Sequence, residues 1–184
     1  MKRVLLVNGS PHKNGATAAA LDIVEQVLRG CGIDTFRFQL KEKPVRGCIA
    51  CERCAADNRC AFTDDQCNEL IEDMLRADAV MIGTPVYFAG PNGALCALLD
   101  RVFYAAANHG QLLAGRPAAA VAVCWRAGAT PSIDRLNKYF TYSQMPVVSS
   151  KYWNGYLGPD DRFGASVLRT LANNMADLLA SCED

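Results

Sequence analysis

Val4-Leu5-Leu6-Val7-Asn8-Gly9-Ser10-Pro11-His12-Lys13-Asn14-Gly15-Ala16-Thr17 is the stretch on which the architecture turns. Four consecutive apolar residues running toward a glycine describe a strand covered on both faces, as in the centre of a parallel sheet. The period then changes. From Thr17 the apolar positions Ala20, Ile23, Val24, Val27 and Leu28 recur at helical spacing, and Gly30 or Gly32 supplies the stop. A strand that feeds a helix in this way leaves free N–H groups and the positive end of the helix dipole at the sheet edge, where an anion is favoured. Ser10 and Thr17 add hydroxyl donors, and His12 can reach the same anion. An ordinary Ser/Thr-capped turn is the alternative. A nucleoside triphosphate loop is disfavoured, because Gly15 is followed by Ala16-Thr17 and not by lysine. Gly30-Cys31-Gly32 follows a helix and reads as its cap, not as the start of a dinucleotide motif.

Working outward, Phe36, Phe38 and Leu40 alternate with Arg37 and Gln39 as a half-buried strand. Asp64 is placed to cap a helix with Cys67, Leu70, Ile71, Met74 and Leu75 inward, and residues 79–83 return as a strand. Leu95, Leu98, Leu99, Val102 and Phe103 mark the next helix, and residues 118–124 the next strand. Pro131 opens a helix with Ile133, Leu136 and Phe140 inward; residues 146–148 begin a short fifth strand; Leu168, Leu171, Met175 and Leu178 define a terminal helix. Such alternation predicts an α/β fold, a doubly wound five-stranded parallel sheet with helices on both faces. Ligands of such sheets lie beyond the C-terminal strand ends, which singles out the loops after strands one, three and four. The loop from Thr84 to Gly93 carries Tyr87 and Phe88, adjacent aromatics of which one faces inward and the other outward. The loop from Cys124 to Thr130 adds backbone donors and Arg126, a cation for an electron-rich ring or simply a surface residue.

With about half of its 184 residues apolar, the chain can bury a full core as one domain, residues 1–184, without repeat or linker. Formal net charge is zero and acidic and basic residues are interspersed, so nothing resembles the basic stripe that nucleic acid requires, and nucleic acid is not expected as a partner. The apolar run after Lys2-Arg3 is too short for a signal peptide, and no stretch suits a membrane span. An odd count of nine cysteines in such a chain points to a reducing compartment, hence to the cytoplasm.

Four of those cysteines crowd together as Cys48-x2-Cys51-x2-Cys54-x5-Cys60, in an aperiodic loop at about residues 45–62. Thiolates one turn apart can converge on adjacent iron corners, so this spacing suits a compact iron-sulfur cluster. Zinc suits it less, since a tetrahedral site draws two pairs from separate knuckles. Free or redox-active thiols are the third reading. Cys31, Cys67, Cys96, Cys124 and Cys182 fall at apolar positions and read as small buried hydrophobes, and His109 as a surface residue.

Together these segments resemble the flavodoxin-like fold, and within it the NADPH-dependent FMN reductase and iron-sulfur flavoprotein families, over nearly the whole chain. Gly9 to Thr17 is similar to their GSPxxxGxT loop; Thr84 to Phe88 and Asp100-Arg101 are similar to their (T/S)PVY(F/W) loop and the Asp-Arg of the helix after it. Trp125 and Ala127 depart from the glycine-rich third loop of those families. The resemblance implies FMN as cofactor, its phosphate on Ser10, Ala16 and Thr17, with His12 and Asn14 in the same loop. It implies a flavin ring against Pro85, Val86, Tyr87, Phe88, Trp125, Arg126, Gly128 and Ala129. By the same resemblance Cys48, Cys51, Cys54 and Cys60 hold a [4Fe-4S] cluster that exchanges single electrons with FMN. The implied activity is an FMN-dependent oxidoreductase with NAD(P)H as donor, a quinone, flavin or other small molecule as acceptor, and a homodimer or homotetramer as assembly. The chemistry would be the cofactor's own, with no side chain assigned as acid, base or nucleophile. Two alternatives stand beside it: an electron carrier supplied by ferredoxin, and a thiol- or zinc-based regulatory module without flavin.

Overall fold

The computed structural model describes residues 1–181, so Cys182 lies outside the described residues. Strand β1 (Arg3–Asn8) runs into α1 (Ala16–Gly30) and β2 (Asp34–Gln39); α2 (Cys54–Asp57) and α3 (Cys67–Arg76) precede β3 (Ala79–Tyr87). The short β4 (Gly90–Pro91), α4 (Gly93–Asn108), β5 (Ala118–Val123), α5 (Ala129–Tyr142), β6 (Gly155–Tyr156) and α6 (Arg162–Ser181) follow. The main sheet has the order β2-β1-β3-β5-β6 and is parallel throughout, with β4 pairing antiparallel to the end of β3.

Side-chain alternation divides the core into two layers. On β1, Leu5 and Val7 pack under α3, α4 and α5, among Leu70, Leu98 and Leu136. Val4 and Leu6 point the other way, into the layer of α1 and α6 with Val24, Leu28, Leu168 and Leu171. Helix α1 ends as its glycines predict. Gly32 is left-handed at φ +78°, its N–H bonds the carbonyl of Arg29, and the N–H of Ile33 bonds that of Leu28, both at 3.0 Å. Among the described residues no helix is long and apolar enough to cross a membrane.

Four local expectations need correction. Strand β3 runs past Gly83 to Tyr87, because β1 stops pairing at Gly83 and the N–H that Pro85 lacks has no partner strand to miss on that side. Residues 146–148 make only a single bridge, Val147 to Ala118; the edge position is taken mainly by Gly155 and Tyr156. Between the two, Ser150 closes a turn by donating its hydroxyl to Asn154 Oδ1 at 2.8 Å, and Asn154 in turn donates to the Ala120 carbonyl at 3.0 Å. Helix α3 starts after Gln66, and it is Asp65, accepting from the Cys67 N–H at 3.1 Å, that steadies its start; Asp64 pairs instead with Arg46. Helix α5 opens at Ala129, two residues before Pro131.

The hairpin β3-β4 turns on Phe88 and Ala89, both left-handed at φ +49° and +59°. Two-residue turns of this hand favour Asn-Gly, since a Cβ is disfavoured there by about 1–2 kcal/mol per residue. Ala89→Gly removes that penalty at one position and gives back about 0.5–1 kcal/mol through a freer unfolded chain. The net expectation is a thermal midpoint roughly 2 °C higher by circular dichroism, and an unchanged or lower midpoint contradicts it.

Candidate functional site

The loop after β1 is tied down from the strand side. Asn8, 2 % exposed, donates to Gln39 Oε1 at 2.7 Å and accepts from the Ser10 N–H at 3.1 Å, and Gln39 donates to the Ser10 carbonyl at 2.7 Å. Ser10 Oγ accepts from the His12 N–H at 3.2 Å, which leaves its own proton free to donate. Gly15 stands at the N-cap of α1 and supplies no side-chain cap, and the first backbone bond runs from the Ala19 N–H to the Gly15 carbonyl. The N–H groups of Ala16, Thr17 and Ala18 therefore face outward as free donors. Ser10 and Thr17 are buried, while His12, Asn14 and Ala16 are exposed on the loop. The methyl of Thr17 fills the space beside Gly83, where an added Cβ would lie 3.1 Å from it.

The three loops are locked to one another. Asn92 caps α4 by accepting from the Ala94 N–H at 2.9 Å, donates its amide to the Gly9 carbonyl at 3.0 Å, and bonds Thr84 Oγ1 through its own N–H at 3.0 Å. The Gly9 N–H bonds the Gly83 carbonyl at 2.8 Å, and a Cβ on Gly9 would sit 2.4 Å from Leu95 Cδ2. Only glycine permits that approach. Gly128, at φ +93°, presses the third loop onto the hairpin, where an added Cβ would lie 2.8 Å from both Ala89 Cα and Val86 Cγ1. Pro85 and Val86 are half-buried. Neither neighbouring aromatic faces inward as expected: the hairpin carries Tyr87 to its outer rim and Phe88 to its fully exposed tip. Trp125 and Arg126 are exposed; Arg126, Gly128 and Ala129 line a cleft of about 410 Å³ that they share with Tyr152, Trp153 and Phe163.

The sequence reading gives Asn8, Gln39 and Asn92 no part in the site. The position of Asn92 directly before an apolar helix signals its cap, but nothing local announces its reach to Gly9. Tyr152 and Trp153, ring centroids 4.6 Å apart, lie in an aperiodic segment that offered no signal, and they meet Phe163 at the head of α6, 5.6 Å from Tyr152.

The cysteine segment is a loop interrupted by the single turn of α2. Cys54 is buried, Cys60 half-buried, and Cys48 and Cys51 exposed. All four line one small cavity, walled by Phe62, Arg101 and Tyr104. Asn68 clamps Cys60, accepting from its N–H at 2.7 Å and donating to its carbonyl at 3.0 Å. Behind them Arg101 and Asp65 form an ion pair with side chains only 1 % and 3 % exposed. Burial pushes the Cys54 thiol up from its ordinary value, and the Cys67 thiol further still.

The model of the NADPH-dependent FMN reductase family matches residues 2–156. The chain belongs to this family. An iron-sulfur flavoprotein of Methanocaldococcus jannaschii is 26 % identical over 96 % of the chain and 97 % of its own length. A second one from that organism is 27 % identical, over 96 % of each. The NAD(P)H:acceptor oxidoreductase FerB from Paracoccus denitrificans superposes with a TM-score of 0.72 over 98 % of both chains, at 16 % identity, which shows a shared fold. This member of the FMN reductase family is thus an FMN-binding flavoprotein of oxidoreductase type, and the uncommitted amides at the head of α1 suit the phosphate of that cofactor.

The fit of the cysteine site to a cluster is mixed. A four-iron cluster takes one thiolate at each of four corners, and an all-sulfur donor set around one cavity matches that demand. Among the described residues no group of three His, Cys, Asp or Glu is arranged to hold a metal ion. The cavity, about 20 Å³, has the room of a single water. Seating a cluster requires the outer wall to move outward, and residues 47–52, which form neither helix nor strand, can do so without breaking a ladder.

Burial pushes the Asp65 carboxyl up, but the Arg101 guanidinium and the N–H groups of Cys67 and Arg46 outweigh it and hold the group below the usual carboxylate range. Its stabilisation is complete above the unfolded value, near pH 4, and is lost as pH falls through the lower folded value. Asp65→Asn should destabilise the protein by about 3–5 kcal/mol at pH 7, because it strands a buried cation. In urea titrations that deficit should shrink steadily from pH 4 downward; a deficit independent of pH contradicts the assignment.

Proposed function

We propose that this chain is an FMN-dependent NAD(P)H oxidoreductase serving a small-molecule acceptor, with Cys48, Cys51, Cys54 and Cys60 as the ligands of a [4Fe-4S] cluster. The observation that carries the reading is the open head of α1, its donors uncommitted and its loop pinned by Asn92 to the second loop. Bound FMN would supply the redox chemistry, taking two electrons together and releasing them singly. The chain's own contribution is positioning. Ser10 Oγ, Thr17 Oγ1 and the Ala16 and Thr17 amides would grip the phosphate, and Pro85, Val86 and the Gly128–Ala129 backbone would support one side of the ring. Tyr87, Phe88, Trp125 and Arg126, all exposed at the rim, would border the acceptor or be covered by a second copy in a homodimer or homotetramer. His12 and Asn14 stand on the outer side of the phosphate loop.

A second reading is an electron carrier supplied by ferredoxin. The exposure of Cys48 and Cys51 favours it, since it sets the cysteine loop where a protein donor can approach.

Anaerobic purification followed by absorbance, iron and acid-labile sulfide analysis tests both readings. The expected protein contains FMN and about four irons and four sulfides per chain, and loses its yellow colour on addition of NADPH. Colour that persists with NADPH but bleaches with reduced ferredoxin selects the carrier, and a preparation that cannot be loaded with FMN overturns both. The double substitution Ser10→Ala with Thr17→Ala should weaken FMN binding by a few kcal/mol, since each charge-assisted bond contributes about 1.5–3 kcal/mol. Isothermal titration with FMN measures it.

A further inference from the structure

We propose that Arg101 is the positioning residue of the cysteine site, holding the Cys60 sulfur by a hydrogen bond and thereby raising the reduction potential of whatever cluster that sulfur ligates. This rests on the reading that the four cysteines carry a cluster, and it concerns a side chain that lies outside the flavin loops.

Every donor of the Arg101 guanidinium is engaged. Nε lies 3.2 Å from Cys60 Sγ; Nη1 donates to the Arg46 carbonyl at 3.2 Å and to Asp65 Oδ2; Nη2 donates to Asp65 Oδ1 at 3.0 Å and to the Phe62 carbonyl at 3.5 Å. Arginine has five N–H donors in a rigid fork, and the two terminal nitrogens suffice to pair Asp65. The remaining one is aimed at sulfur. Because Arg46 precedes the first ligand and Phe62 follows the last, the same group fastens both limbs of the loop to α4. Phe62 lies against it, with the guanidinium carbon 5.3 Å from the ring centroid.

The electrostatic direction follows from charge. One added electron makes the cluster and its thiolates more negative, and a fixed N–H dipole on a buried cation stabilises that form more than the oxidised one. Asp65 neutralises the net charge of the pair, so the effect is directional and depends on the Nε–H geometry. Lysine preserves charge without the fork and cannot make all five contacts. Helix α4 ties this to the flavin loops, for its cap Asn92 holds Gly9 and Arg101 follows nine residues later, about 14 Å along the axis.

The test compares wild type, Arg101→Lys and the charge-balanced double variant Arg101→Gln with Asp65→Asn, each loaded anaerobically with iron, sulfide and FMN. Flavin content and thermal midpoint report the fold, iron and sulfide content report the cluster, and a mediated dithionite titration followed by electron paramagnetic resonance reads the one-electron couple. Arg101→Lys should keep its flavin and lower the equilibrium constant for cluster reduction about tenfold, which is 59 mV for one electron. The double variant, which leaves no unpaired buried charge, should show at least the same shift or lose the cluster while keeping flavin. A wild-type potential and full iron in both variants overturns the role of Arg101. Wild-type protein that binds FMN but takes up no iron or sulfide overturns the cluster reading, and this proposal with it.

Discussion

The carboxamide of Asn92 is the contact on which the proposed flavin site depends. Its side chain caps α4 and holds the Gly9 carbonyl while its backbone N–H bonds Thr84, so two loops distant in sequence and the head of α4 share one anchor. Each such bond contributes about 1 kcal/mol net, while leaving a buried partner unpaired costs more. Gly9 makes the contact possible, since a methyl group there would meet Leu95 and the Gly83 carbonyl. A loop fixed so firmly keeps its free amides at one place, which is what an anion site needs: donors that do not reorganise on binding.

Helix α4 extends the same logic toward the cysteines. Its apolar face, Leu95, Leu98, Leu99 and Val102, is buried in the core, and from that rigid base Arg101 reaches outward to the cysteine loop. A buried ion pair is weak evidence of stability in itself, because desolvation offsets its attraction. Here its five donors specify a geometry, tying residues 46, 60, 62 and 65 to one guanidinium. Between these ties, residues 47–52 form neither helix nor strand.

Exposed apolar rings collect at the rim beside two of the left-handed non-glycine residues, the others lying at Ala50, Glu52 and Asn58 of the cysteine segment and at Gln111 and Gln144. Phe88 and Ala89 hold left-handed backbone angles that side chains disfavour, and Phe88, Trp125, Tyr152, Trp153 and Phe163 present apolar rings to solvent. Such features persist where surrounding packing over-determines them, here the pressure of Gly128 on the hairpin. Apolar surface concentrated beside a cofactor loop is also where a ligand or a second subunit finds purchase.

The alternation of parallel strands with helices and the two core layers were legible in the order of residues, because burial on two faces leaves continuous apolar runs in β1, β3 and β5, and one-sided burial leaves a helical period in the segments between; the order of strands in the sheet was not. The candidate anion loop at the head of α1 and the cysteine spacing were visible in the sequence for the same local reason: a helix head and a cluster of like side chains are written in a few adjacent residues. What only tertiary structure decided are contacts between segments far apart in the chain. Asn92 with Gly9 spans 83 positions and Arg101 with Cys60 spans 41, and nothing in the neighbourhood of either residue encodes its partner. The outward turn of both Tyr87 and Phe88, and the return of the chain to the sheet edge at Gly155 instead of residues 146–148, belong to the same class. Local pattern settles which face of an element is apolar, whereas hydrogen-bond partners across the fold are chosen by the packing that brings those faces together.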